Sequence, residues 1–219
     1  PGGNGSGFTM HLLRAESPGP DVGKLVPKMR KTATILYMIY ISLTVIDVIL
    51  LLFGGMHWLD ALCIAFGTAG TGGFGTNSAS LANYSPYIQY VTAIFMLLFG
   101  INFNVYYLIL VKNFRSALRS TELWCYLGIV IVSSVLITTN ILPICGGVGE
   151  ALRLAVFQVS SIITTTGYAT ADFNMWQGFS KTLLLILMLM GACAGSTAGG
   201  IKTSRIVMAV KGSYINIRK

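Results

Sequence analysis

Three stretches hold the residues whose types and spacing could do chemistry, and that chemistry is ion coordination rather than bond making. In Ser160-Ser161-Ile162-Ile163-Thr164-Thr165-Thr166-Gly167-Tyr168-Ala169-Thr170 a short apolar segment runs into a hydroxyl-rich loop centred on one glycine. A glycine free to take positive φ lets successive carbonyl oxygens turn toward a common axis, where they can replace the water around a cation. Gly70-Thr71-Gly72-Gly73-Phe74-Gly75-Thr76 is a second glycine-rich loop. The candidate cation ligands are the carbonyls of Thr71, Gly72, Gly73, Thr165, Thr166, Gly167 and Tyr168. The third stretch, from Gly191 to Gly200, carries Gly195, Ser196, Thr197 and Gly199 and is too rich in glycine and hydroxyls for an uninterrupted helix.

The composition says where such loops lie. The chain is 54% hydrophobic and only 10% charged, with a mean hydropathy of +0.72, which is the make-up of a membrane protein. Irregular backbone at membrane depth is tolerated only when buried in protein or lining a watery cavity. The run TTTGYAT is related to the Thr-Val-Gly-Tyr-Gly filters of potassium channels. Neither filter-like loop carries a charged side chain, so selection by carbonyls would favour a weakly hydrated monovalent cation over Ca²⁺. The net charge of +8 comes from basic residues in three clusters, Arg14 to Lys31, Lys112 to Arg119 and Lys202 to Lys219, with only Arg153 and Lys181 elsewhere. By the positive-inside rule all three clusters are cytoplasmic. They lack interleaved aromatics, which argues against nucleic acid.

Catalytic patterns are missing. No Ser, His and Asp set and no HExxH appears, so an enzyme is not expected. Gly195 and Gly200 have the spacing of a phosphate loop, but Ile201 intrudes before Lys202-Thr203 and no strand precedes them. The four cysteines are scattered through apolar runs and read as packing residues, and His11 and His57 are isolated. No cofactor is expected.

The elements that must position the loops follow from run lengths. Pro1 to Lys31 reads as a cytoplasmic linker with one short helix. The opening Pro1-Gly2-Gly3-Asn4-Gly5-Ser6-Gly7 is expected to lie in the interior of a longer polypeptide. Ile35 to Phe53 is long enough to cross a bilayer and contains Asp47, a functional candidate by its depth unless it pairs with a neighbouring helix or lies near the outer interface. Trp58 to Ala69 suits a re-entrant helix, and Tyr87 to Val111 is expected to cross as one span, with Asn102 and Asn104 bonding between helices. Leu123 to Leu142, Glu150 to Ile163 and Phe179 to Met190 repeat the order of crossing, half-helix, loop and crossing. The fold class is therefore an all-α membrane protein of tandem pore repeats, with units at 32–112 and 113–219. Asp60, Glu150 and Asp172 fall on the outer side, either drawing cations or as plain surface. The loop at Gly191 to Gly200 lies on the cytoplasmic side of the filter, either as a gate or cavity wall or as small residues that allow close helix packing; on the first reading, deleting Ala194 to Ala198 is expected to raise flux while leaving selectivity nearly intact.

HLLRAESPGP, TGGFGT, LLFGINFN, SSIITTTGYATADF and GACAGSTAGGIKTSR resemble motifs of the Trk/Ktr family of potassium-uptake proteins, of the TrkH type. The likeness covers nearly the whole chain, and the last two motifs are the most specific. It implies four fused pore repeats of which these are the second and third, the first and fourth lying elsewhere in the same polypeptide. It also implies a homodimer in the bacterial inner membrane, in contact with lipid, and a cytoplasmic nucleotide-binding regulatory subunit. By the same resemblance K⁺, the transported ion, is held at the carbonyls of Thr71, Gly72, Thr166 and Gly167, with Gly72 and Gly167 as the filter glycines of positive φ. Gly191 to Gly200 becomes the gating loop of the third repeat, facing an arginine of the fourth that Arg205 does not replace. Four crossings with two pore loops also fit a two-pore-domain potassium channel subunit, and a non-conducting membrane scaffold is the reading from another class.

Overall fold

The computed structural model describes residues 29–209. The linker before Met29, with its expected short helix, and the basic tail after residue 209 lie outside the described residues. Helix α1 (Met29–Phe53) contains a stretch from Thr32 that is long and apolar enough to cross a membrane. Thr44, Asp47 and Leu51, three and four residues apart, form its buried stripe. Tyr37, Val45 and Ile49 remain exposed on other faces. Helix α2 (Trp58–Ala69) is capped by His57, whose Nδ1 accepts from the Leu59 amide at 3.4 Å. Its buried residues include Ala61, Ala65, Gly67 and Ala69. Small side chains of this kind let helices approach closely where lipid removes the hydrophobic drive to associate.

The expected single span from Tyr87 to Val111 is not one helix. Helix α3 (Pro86–Phe99) starts with Pro86 in its first turn behind the cap Ser85 and ends at Gly100. A new helix, α4 (Phe103–Leu110), leaves at 87° to it. The reason is local: the Asn102 side chain accepts from the Asn104 amide at 2.9 Å and so caps a new start. Asn102 thus acts within its own segment rather than between helices.

After α5 (Phe114–Leu118) the plan repeats. Helix α6 (Thr121–Ile141), capped by Ser120 and extended by a 3₁₀ turn at Leu142–Ile144, is the second element of crossing length. Helix α7 (Val148–Ile163) is the second short helix, followed by a 3₁₀ turn at Phe173–Met175 and by α8 (Gly178–Leu189). The chain then passes through β1 (Met190–Gly191) and a loop to β2 (Ile201–Lys202), which pair in parallel with Met190 beside Ile201 and Gly191 beside Lys202. Helix resumes over 203–209. Both inner helices are therefore broken, whereas the sequence pointed to a break in the second alone.

Two apolar clusters interlock across the repeats. Phe157 and Tyr168 of the second unit join the cluster of Leu51, Ile64 and Phe99 in the first. Leu97 and Ile101 of the first pack on the cluster of Tyr126, Ile137 and Ile163 in the second. Gly100 lies at this seam, where an added Cβ would fall 2.5 Å from the Tyr126 hydroxyl and 2.9 Å from Thr164 Cγ2. Gly100→Val should therefore overpack the seam at a cost of about 1–3 kcal/mol. Thermal melting of the purified full-length protein in detergent checks this, and an unchanged midpoint would show that the seam can open to admit the side chain.

Candidate functional site

The site is built where α2 and α7 end. Their C-terminal carbonyls carry the negative end of the helix dipole, which favours a cation beyond them. The two chains then follow the same path. Thr166 N donates to Ser161 O at 2.9 Å and Gly72 N to Gly67 O at 2.8 Å, and Gly167 N and Gly73 N each reach the same carbonyl again at 3.4 Å. Phe74 and Tyr168, 94 residues apart, come next in the two loops. In this register the positive-φ glycines are Gly73 (+65°) and Gly167 (+93°), not Gly72. Gly72 corresponds to Thr166, so the expected pairing of Gly72 with Gly167 is corrected by one residue. The doubled glycine hid the register, since composition alone does not say which of two adjacent glycines turns.

Thr71 (φ +50°) and Thr165 (φ +56°) also correspond, and both lie in the left-handed region. A β-branched residue there is an outlier that carries about 1–3 kcal/mol of strain.

The two loops touch. A Cβ on Gly73 would collide with the Thr166 carbonyl oxygen, so only glycine lets the backbones meet. The buried Tyr168 hydroxyl donates to Phe74 O at 3.0 Å or Ile64 O at 3.1 Å, across the repeat boundary. Ser161 Oγ donates to Tyr168 O at 2.6 Å and accepts from Gly167 N at 3.1 Å. Farther out, Leu81 N donates to Ala169 O at 3.1 Å and Ala169 N to Ser80 Oγ at 3.1 Å. Ser161 and Ser80 were not singled out from the sequence. The available signal for Ser161 was a hydroxyl at the end of an otherwise apolar short helix, and for Ser80 there was none.

The loop between β1 and β2 packs against both the broken α3–α4 helix and the filter-like loops. Cys193 N donates to Gly100 O at 3.1 Å, Phe103 N to Gly195 O at 3.1 Å, and Thr197 Oγ1 to Phe99 O at 3.3 Å. Thr203 Oγ1 closes its neck on Gly191 O at 2.8 Å. Glu122, at the start of α6, accepts from Ala194 N at 2.6 Å, and Lys202 Nζ donates to Ala198 O. The loop also reaches both filter-like loops. Thr71 Oγ1 bonds its neighbour Gly70 O at 2.8 Å and lies 3.1 Å from Thr197 O, while Gly199 N donates to Thr165 Oγ1 at 2.7 Å. Gly195 and Gly200 take the positive φ that this path requires.

The charged candidates resolve differently. Asp60 accepts from Thr76 Oγ1 at 2.5 Å and from the Tyr84 hydroxyl at 3.3 Å, and Tyr84 is pushed above its ordinary pKa by burial and then by that carboxylate. Glu150 accepts from Gly146 N at 3.1 Å and Asp172 from Asn174 N at 2.9 Å, so each outer acid has a local structural partner. Asp47 is fully buried, and among the described residues neither of its oxygens has a hydrogen-bond partner, so the alternative of pairing with a neighbouring helix finds no support within these two repeats.

Paired pore-type repeats with abutting loops define a multi-pass integral membrane protein of the pore-repeat class. Residues 7–128 and 146–219 match the family model TrkH, described as cation transport protein. The chain is 35% identical over 211 residues to the Trk system potassium uptake protein TrkH of Halomonas elongata, covering 92% of this chain and 43% of that protein. It is 37% identical over 208 residues to the TrkH of Salmonella typhimurium, with the same coverage. Against the crystal structure of the potassium transporter TrkH from Vibrio parahaemolyticus the TM-score is 0.83 at 28% identity, covering 96% of this chain and 46% of that one. The chain belongs to the TrkH family of cation transport proteins, a transport family and not an enzyme family, and it spans less than half the length of these relatives.

The register yields a test. Gly73→Ala places a side chain at positive φ against the Thr166 carbonyl, whereas a Cβ on Gly72 meets only the exposed Phe74 ring, at 3.1 Å. Gly73→Ala should therefore lower the K⁺/Na⁺ flux ratio of the full-length protein far more than Gly72→Ala does. The reverse order would return the filter position to Gly72.

Proposed function

We propose that this chain supplies two of the four quarters of a K⁺ translocation path, in which backbone carbonyls around Thr71, Gly72 and Gly73 and around Thr165, Thr166, Gly167 and Tyr168 replace the hydration shell of the ion. The observation that carries the reading is the matched backbone path of the two loops, each leaving a short helix, turning at a glycine of positive φ and meeting the other at Gly73 and Thr166. Carbonyl oxygens supply neutral ligands, which suits an ion that must leave as readily as it enters. The printed names of the relatives, potassium uptake proteins, support K⁺ as the cargo. Their greater length supports two further repeats in the same polypeptide, rather than the closed four-crossing plan of a two-pore-domain channel. On this reading the chain works in the bacterial inner membrane, surrounded by lipid and by its own first and fourth repeats, in a homodimer. A nucleotide-binding subunit acts on its basic cytoplasmic side.

Gly191, Gly195, Ser196, Thr197, Gly199 and Gly200 form the gate in this reading. Each glycine weakens a helix by about 1 kcal/mol relative to alanine, so the segment yields readily to a loop. That loop is held largely by the broken α3–α4 helix, through Gly100 O, Phe99 O and Phe103 N. Deleting Ala194 to Ala198 removes most of these bonds. The expected result is a several-fold rise in K⁺ flux through full-length protein in liposomes. A folded deletion variant with unchanged or lower flux would make the segment a packing element.

A further inference from the structure

The gate and the filter were expected to act separately, but they share two side chains. Thr71 and Thr165 occupy corresponding places, both hold positive φ, and both hydroxyls meet the same loop. The contact is made from opposite sides of the bond: Thr71 Oγ1 shares its one proton between Gly70 O at 2.8 Å and Thr197 O at 3.1 Å, whereas Thr165 Oγ1 accepts from Gly199 N at 2.7 Å. A backbone conformation that threonine rarely adopts must be maintained by its surroundings. At both positions the loop is part of those surroundings.

We infer that Thr71 and Thr165 are specificity-determining positioning residues, whose side chains latch the 190–202 loop to the two filter loops so that the loop's position sets the filter's geometry as well as its access. With the loop in place, the two hydroxyl contacts help hold the left-handed turns. When the loop leaves, both contacts go and the strained residues can relax toward negative φ. That rotation re-aims the following carbonyls, which belong to Thr166 and Gly167 in one loop and to Gly72 and Gly73 in the other. The conducting filter thus becomes less selective when the loop is withdrawn and regains its K⁺ preference when the loop returns. The inference rests on the filter and gate reading above and assigns these two hydroxyls a role that carbonyl coordination does not require.

Valine substitutions isolate the effect, because Thr71→Val and Thr165→Val keep the shape and branching and remove only the hydroxyl. Measured as flux through full-length protein in liposomes, each should lower the K⁺/Na⁺ ratio, and the double variant should lower it further, while the protein keeps a cooperative thermal transition with a midpoint lowered only slightly, as the loss of one hydrogen bond per variant implies. Thr71→Ser and Thr165→Ser keep the hydroxyl and should retain the wild-type ratio. Gly199→Val tests the same contact from the loop side, since a Cβ there lies 3.2 Å from Thr165 Oγ1. It should lower the ratio with the filter sequence intact, and it serves in place of any valine variant that fails to fold. Combining Thr165→Val with the Ala194 to Ala198 deletion completes a double-mutant cycle. Coupling through the loop predicts that the valine adds little once the loop is gone. Valine variants with the wild-type ratio, or a valine effect that adds in full to the deletion, would overturn the latch. If wild-type protein shows no K⁺ preference, the filter reading itself fails, a result distinct from loss of the latch.

Discussion

The interior of a bilayer offers no water to an unpaired amide or carbonyl, and the rest of this structure depends on that constraint. Where the chain leaves helical geometry, at 70–76, 100–102, 164–170 and 190–202, the backbone groups it frees need partners within the protein. Many of them come from hydroxyl side chains. Ser161 serves Gly167 and Tyr168, Tyr168 serves Phe74 or Ile64, and Thr197 serves Phe99. The hydroxyls of these apolar segments are therefore structural bonds and not incidental polarity.

The same constraint explains why the two broken inner helices occur together. The break after α3 exposes the carbonyls of Phe99 and Gly100 and the amide of Phe103, and the loop after α8 exposes Cys193, Gly195 and Thr197. Each break supplies what the other lacks. Helix packing completes the arrangement by close approach rather than by expulsion of water, with Ala61, Ala65 and Ala69 along α2 and Gly100 beneath Tyr126 and Thr164. A defect in one helix is thus offset by a defect in another.

The repeats are alike in path but not in sequence. Gly72 in one loop corresponds to Thr166 in the other, and Phe74 to Tyr168, yet the turns and the bonds back to the short helices coincide. Tyr168 carries a hydroxyl that Phe74 lacks, and that hydroxyl crosses to the first repeat. The asymmetry makes the two loops unlike in their bonds across the repeat boundary.

The order of crossing helix, short helix and loop was legible from the lengths of the apolar runs, and Trp58–Ala69 agrees with its expected bounds to the residue. Run length is a local property, and membrane thickness converts it into an element. The glycine and threonine content likewise marked both filter-like loops and the segment from Gly191 to Gly200. Three matters were decided only by the folded structure: which of Gly72 and Gly73 turns, that Asn102 starts a helix instead of bridging two, and that Asp47 is buried with no hydrogen-bond partner among the described residues. The first rests on one φ angle, the second on a side-chain cap two residues long and the third on neighbours distant in the chain, and none of these is encoded in composition or periodicity. The meeting of Thr71 and Thr165 with one loop is of the same kind, since those contacts join residues 126 and 34 positions apart.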